Sequence, residues 1–331
     1  MPFLGSSSLF CLLALLPAPD GPASEPPVTA LAFAPDGRSV LAGSQAGLIV
    51  RSWPDLKAVR KLPTTLSHIH DLAFSPRGDV LAAGGGSPAE SGAVELFRWP
   101  EGTRFYHDEP HDDIVYALAW KDDGSAWASA SYDRTVQVHA PGGETVRALE
   151  GHSKGVVGLC YLPDGRSLVS AGIDQSLRVW DAESGRPLRR LENHTGPVRG
   201  LALRPSRPDG SPPMVVSIGA DRTVRIWQPT VGRMVRFSRL ESPPLAVTWT
   251  RLGASIAVAC ADGHVRLIDP DTAVISRDIR ALDGRAHSLA SAPDGRELVV
   301  GGEAGRLVRI ELGQPPDSAG SGTRPGKGSV P

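Results

Sequence analysis

Between positions 152 and 191 short apolar runs alternate with polar turns. An apolar run fills 156–162, Pro163-Asp164-Gly165 interrupts it, and Leu168-Val169-Ser170 resumes it. Gly172-Ile173-Asp174 breaks it again before Leu177-Arg178-Val179-Trp180-Asp181. Apolar residues alternate with small or polar ones, as a strand with two differently solvated faces requires. The Asp-Gly and Asp-Gln steps suit turns that demand positive φ. This spacing predicts three strands and a fourth, outer one over 186–191.

The unit recurs along the chain. Seven Pro-Asp-Gly-like turns place Gly37, Gly78, Gly124, Gly165, Gly210, Gly253 and Gly295 at intervals of 41 to 46 residues. A period of about 40–45 residues with several short strands per unit is the signature of a propeller blade. One blade cannot bury both faces of its sheet, so the units must stack around an axis and close into a ring. The expected fold is all-β, a seven-bladed β-propeller of four-stranded antiparallel blades over 26–312. It is flanked by an apolar N-terminal segment, 1–25, and a tail, 313–331, whose lack of apolar periodicity predicts disorder.

The order His, Ser, Asp, Trp within the units resembles the WD-repeat (WD40-type) family of propellers, bacterial exported WD-repeat proteins among them, over residues 28 to about 311. Unit four carries His152, Ser170, Asp174 and Trp180. Unit five carries His194, Ser217, Asp221 and Trp227. Unit three keeps His111, Ser129 and Asp133 but has His139 where the tryptophan belongs, and the other four units are eroded. The resemblance implies that these residues form a buried chain of hydrogen bonds joining the inter-blade loop to the inner turn. Such groups satisfy one another in series, each bond stabilising by about 1 kcal/mol net. A hydrolase reading of the Ser, His and Asp is the weaker one, since the trio recurs in several units and no nucleophile-elbow motif accompanies it.

Composition narrows the function. With Lys+Arg 35 against Asp+Glu 36 the formal charge is -1, so no strong field draws the chain to nucleic acid or an anionic membrane. Cys160 and Cys260 fall in units a whole blade apart, which disfavours a disulfide, and both read as small buried hydrophobes. Cys11 lacks the preceding small residue of a lipoprotein cleavage box. The apolar run 9–16 is too short to span a bilayer, so no integral membrane span is expected. It reads either as the core of a signal peptide, although its n-region has no Lys or Arg, or as a strand closing the last blade. Eight apolar residues without alternation favour export, periplasmic or extracellular, with a cytoplasmic chain as the alternative and a three-stranded last blade as the consequence.

Two insertions break the spacing. In unit two, 84–92 lengthens with glycines a turn that is elsewhere a tight Asp-Arg step; in unit five, 206–213 separates the first two strands. The family resemblance puts the first on the face of the inter-blade loops and the second on the opposite face. On the first face, large or charged residues recur where the innermost strand begins, namely His70, Tyr116 and Arg199, with Leu245 a further candidate and Tyr132 just before Asp133. Together with Glu90 of the unit-two loop these are the protein-binding candidates, because aromatic residues and arginine give large contact energies. His68, His70, His107 and His111 lack metal-site spacing, and no Gly-rich phosphate cradle precedes a helix, so neither a metal nor a cofactor is expected. The reading is a non-enzymatic WD-repeat scaffold, monomeric on its own, that binds a protein or peptide through one face. The alternative is an extracytoplasmic propeller enzyme, or a subunit of a redox or envelope complex, with its site at the axial channel.

Overall fold

A computed structural model describes residues 25–312 apart from 208, 251 and 252. The expectations for the N-terminal apolar run, Cys11 included, and for the tail after residue 312 lie outside the described residues. Seven antiparallel sheets, each a meander of consecutive strands, follow one another around an axis. Blade one runs Ala30–Phe33, Ser39–Ser44, Gly47–Ser52 and Ala58–Leu62. Blade four, which carries the full sequence pattern, runs Val156–Tyr161, Ser167–Gly172, Ser176–Asp181 and Pro187–Glu192. Six blades have four strands. The seventh has three among the described residues, Ala286–Ser291, Glu297–Gly302 and Leu307–Glu311.

The turn glycines explain the period. All seven lie at φ between 64° and 73°, a left-handed conformation that a side chain strains and glycine does not. At Gly165 the turn is closed by Asp164 Oδ1, which accepts the amides of Arg166 and Ser167 at 2.9 and 2.7 Å.

Apolar residues pack across the seams between blades. Val136, Val138 and Leu149 of blade three meet Leu159, Leu168 and Trp180 of blade four in one buried cluster, and the other seams between blades consecutive in the chain repeat this arrangement. The outer strands are largely exposed and carry most of the exposed large apolar side chains, Val59, Phe105, Val146, Leu188, Phe237 and Ile275. Among the described residues the ring closes between blades seven and one without a shared sheet. Val28 N donates to Gly302 O at 3.0 Å, Ser288 Oγ donates to Val28 O at 2.8 Å, and the Arg309 guanidinium lies 5.7 Å from the Trp53 ring centre. Among the described residues no helix is long and apolar enough to cross a membrane.

The unit-two insertion is not the lengthened glycine loop that the sequence suggests. Gly84, Gly85 and Gly86 belong to the strand Val80–Ser87, paired through Ser87↔Ser91 with Ser91–Arg98, so only Pro88, Ala89 and Glu90 turn. The glycines permit close approach rather than mobility. A Cβ on Gly85 would lie 1.7 Å from the carbonyl oxygen of His68.

Candidate functional site: the axial mouth

Each inner strand from blade two to blade seven loses register by one residue near its start. Such β-bulges re-aim a side chain. The residues skipped are His70, Tyr116, Val157, Arg199, Leu245 and His287, and every one of them lines a single axial cavity of about 190 Å³. In blade one Thr29 holds the equivalent place, its hydroxyl donating to Ile69 O. Of these seven, the residue types alone singled out His70, Tyr116, Arg199 and Leu245. Thr29, Val157 and His287 were missed, although the repeat period points to them.

Four rings run in contact, of which His70 and Tyr116 line the axial cavity, while His68 and Tyr132 flank them outside its lining. His68 and His70 are stacked with centres 6.2 Å apart, His70 and Tyr116 lie 4.5 Å apart, and Tyr116 and Tyr132 lie 5.7 Å apart. Tyr132 is 43% exposed, and Arg199 is exposed in blade five. Glu90 stands apart from this set. It occupies the exposed tip of the blade-two hairpin, its amide donating to Ser87 O, and it does not line the axial cavity.

Asp71 brings a carboxylate to the cavity wall. One oxygen accepts the amide of Leu72 at 2.9 Å and the other that of Leu118 at 2.7 Å, which ties blade two to blade three. Burial pushes its pKa up to about 6 despite those two bonds. Burial, reinforced by His68, brings His70 down to about 4, and burial lowers His287 against the pull of Glu303. Tyr116 is raised by burial and then by Tyr132 and Asp113. The cavity is narrow, and desolvation is the first cause in all four.

The Ser, His and Asp residues lie elsewhere, within the blades. In blade four Trp180 Nε1 donates to Ser170 Oγ at 2.8 Å, Ser170 meets His152 Nε2 at 2.8 Å, and His152 Nδ1 lies 3.0 Å from Asp174. Blade five repeats this with Trp227, Ser217, His194 and Asp221 at 2.8, 2.7 and 3.0 Å. Burial alone would raise Asp221, but the Thr195 amide, the Thr223 hydroxyl and His194 bring it down to about 2. Burial also lowers His194 itself, against the pull of Asp221.

Blade three shows how the chain survives the loss of its tryptophan. His111 Nδ1 lies 2.8 Å from Asp133, His111 Nε2 lies 2.8 Å from Ser129 Oγ, and His139 Nε2 takes the indole's place at 2.9 Å from that hydroxyl. Against His139, at 3.9 Å between ring centres, stacks Trp127. Trp127 pairs with His139 as Leu168 pairs with Trp180 and Val215 with Trp227. The large ring has crossed the strand pair, and the volume is conserved. We therefore expect His139→Trp alone to overpack the seam, costing about 1–3 kcal/mol, and Trp127→Leu in the same chain to restore most of it, read as coupling in denaturant unfolding. The pair should also differ in acid. Burial, then His111, holds His139 at about 4, below its ordinary 6.5, so the fold favours the neutral ring. That contribution is complete above pH 6.5 and is lost as the pH falls toward 4, on the order of 2 kcal/mol by pH 5. The double variant should lose less stability between pH 7.5 and 5 than the native chain.

Eroded blades substitute other charges. In blade six Arg266, nearly buried, bridges Asp262 at 2.8 Å and Asp278 at 3.2 Å. In blade two the buried Glu95 accepts the Thr65 amide and hydroxyl and pairs with Arg104. Neither device shows in the His-Ser-Asp-Trp pattern, because each replaces a member with a residue of different chemistry.

Three stretches, 102–139, 143–181 and 185–228, match the WD domain, G-beta repeat family. Over those three stretches the chain matches WD40 repeats. Each WD repeat starts before the outer strand of one blade and ends on the third strand of the next, which is why the pattern reads His first and Trp last. Among curated proteins the chain is similar to the F-box-like/WD repeat-containing protein TBL1X of Mus musculus, 26% identical over 142 residues, 40% of this chain and 27% of the relative. It is similar to periodic tryptophan protein 2 of Arabidopsis thaliana, 30% identical over 191 residues, 54% of this chain and 20% of the relative. It also resembles the chromatin assembly factor 1 subunit FAS2 homolog of Oryza sativa subsp. japonica, 30% identical over 155 residues, 44% of this chain and 23% of the relative. The matches span about a quarter of the length of these relatives. All three are eukaryotic, and none supports the bacterial, exported likeness expected from the sequence.

Proposed function

We propose that this WD-repeat ring is a non-enzymatic scaffold that binds a protein or peptide segment across the axial mouth, between the ring ladder of blades two and three and Arg199 of blade five. The observation that carries the reading is the set of bulges, which turn six successive side chains of different chemistry toward one opening. The rings offer an apolar wall, and Arg199, with no carboxylate within ion-pair range among the described residues, offers a cation. A segment with an apolar side chain and a nearby carboxylate fits that pairing. The strands hold the surface in place, so little ordering entropy is lost on contact.

A catalytic axial channel is the second reading, and one observation favours it. His70, Asp71, Tyr116 and His287 converge on one cavity with shifted pKa values. Burial accounts for those shifts, and both Asp71 oxygens already accept backbone amides, so the scaffold reading stands first. Location outside the cytoplasm is a further proposal, resting on the apolar run 9–16 alone.

The test is affinity capture with the native chain and with a Tyr132→Ala, Arg199→Ala variant. Both positions are exposed, so thermal stability should hold within about 0.5 kcal/mol. Loss of two contact residues of this type should weaken a captured partner by about 30-fold or more. A partner held equally by both chains would place the contact elsewhere on the ring.

A further inference from the structure

At the end of the ring opposite the axial mouth, a cavity of about 460 Å³ opens in the seam between blades three and four. Tyr161 enters it from the last position of the blade-four inner strand, and Val138, Val146 and Ala182 give it an apolar lining. Cations stand around it. Lys121 is 3.1 Å from Asp123 and Arg166 is 2.6 Å from Asp181, so each of these is already paired. Arg147 lays its side chain against Gly185 and makes no ion pair among the described residues, while the one acid of the lining, Glu183, is exposed.

Tyr161 is 4% exposed, and its hydroxyl has no hydrogen-bond partner among the described residues. Its counterparts at the same strand position behave differently. Trp120 donates its indole N–H to Ala73 O at 3.2 Å, and Trp249 donates to Ala202 O at 3.1 Å, each reaching the carbonyl of the preceding blade. A buried hydroxyl left unpaired costs on the order of 1–3 kcal/mol, so an orphan beside a cavity is a group with a missing partner. Burial, and then Asp123, push its pKa up to about 12, so it keeps its proton and can donate.

We infer that this seam cavity binds a small amphipathic carboxylate, the apolar body lying on Val138, Val146 and Ala182 and the carboxylate reaching Arg147 and the Tyr161 hydroxyl. A cavity of this size, mostly apolar with a few convergent polar groups, suits a small organic ligand. The site shares no residue with the axial mouth, so it stands or falls independently of the scaffold reading.

The probe is 3-phenylpropionate, titrated into the full chain by calorimetry and by two-dimensional NMR, with its neutral amide as control. The carboxylate should bind and shift resonances of the 3–4 seam, and the amide should bind at least about 10-fold more weakly, the difference expected for a hydrogen bond to a charged group. Tyr161→Phe keeps the ring and removes only the hydroxyl, and should cost about 10-fold in affinity. Arg147→Gln, at an exposed position, should do likewise and serves as the test if Tyr161→Phe fails to fold. The inference is overturned if 3-phenylpropionate does not bind, if acid and amide bind alike, or if binding is unchanged in a folded variant.

Discussion

Replacing Asp174 with alanine is expected to cost about 3–5 kcal/mol of folding stability. The carboxylate is almost wholly buried, and it holds His152 Nδ1 at 3.0 Å, the Ser153 amide at 3.0 Å and the Ser176 hydroxyl at 2.8 Å. Alanine leaves the buried His152 ring and Ser176 hydroxyl without this acceptor and gives the exposed Ser153 amide to solvent, and the imidazole loses the group that orients it toward Ser170. Denaturant unfolding reads the loss, and a cost under about 1 kcal/mol would mean that the chain of hydrogen bonds does not hold the blade. The pH dependence carries a sign. Burial alone would raise Asp174, but His152, Ser176 and the Ser153 amide hold it well below the usual carboxylate range. Its contribution is therefore present above the unfolded value near 4 and is lost as the pH falls below it, so the native chain should weaken in acid more steeply than the variant. Activity offers no such readout, because the trio recurs in blades three, four and five and lies within each sheet.

Gly85→Ala is the second large effect expected. The added methyl would meet the His68 carbonyl oxygen at 1.7 Å and its carbon at 2.8 Å, and neither is a flexible side-chain end that can swing away. The backbone must shift instead, at about 3 kcal/mol, the upper part of the range for overpacking. The shift falls on His68 and so on the ladder through His70 to Tyr116. Stability and partner capture should fall together in this variant, whereas Tyr132→Ala with Arg199→Ala separates them. Unchanged melting of Gly85→Ala would show that the hairpin can move away from His68 at no cost.

Much of the fold was legible because the turn glycines and the alternating strands repeat, and repetition survives the loss of single residues. Blade four was read strand by strand from its pattern, and the positions of His152, Ser170, Asp174 and Trp180 lie on elements that the pattern placed. What stayed hidden has physical causes. Bulges leave no mark in composition, so Val157 and His287 looked like ordinary strand residues although they share the register slip of Tyr116 and Arg199. The glycine run 84–86 carries the same composition in a loose loop and in a strand that lets a neighbouring backbone approach, and only the contact with His68 distinguishes them. The exchange of Trp127 and His139 with the Leu168 and Trp180 arrangement is a relation between facing strands, invisible along either one.

The most direct test of the scaffold reading is hydrogen exchange of the full chain with and without a captured partner. Protection should appear in the loops around the axial mouth, at 66–70, 112–116, 132–135 and 195–199, and leave the outer strands unchanged. Protection confined to the outer strands or to the Pro-Asp-Gly turns of the opposite end would contradict it.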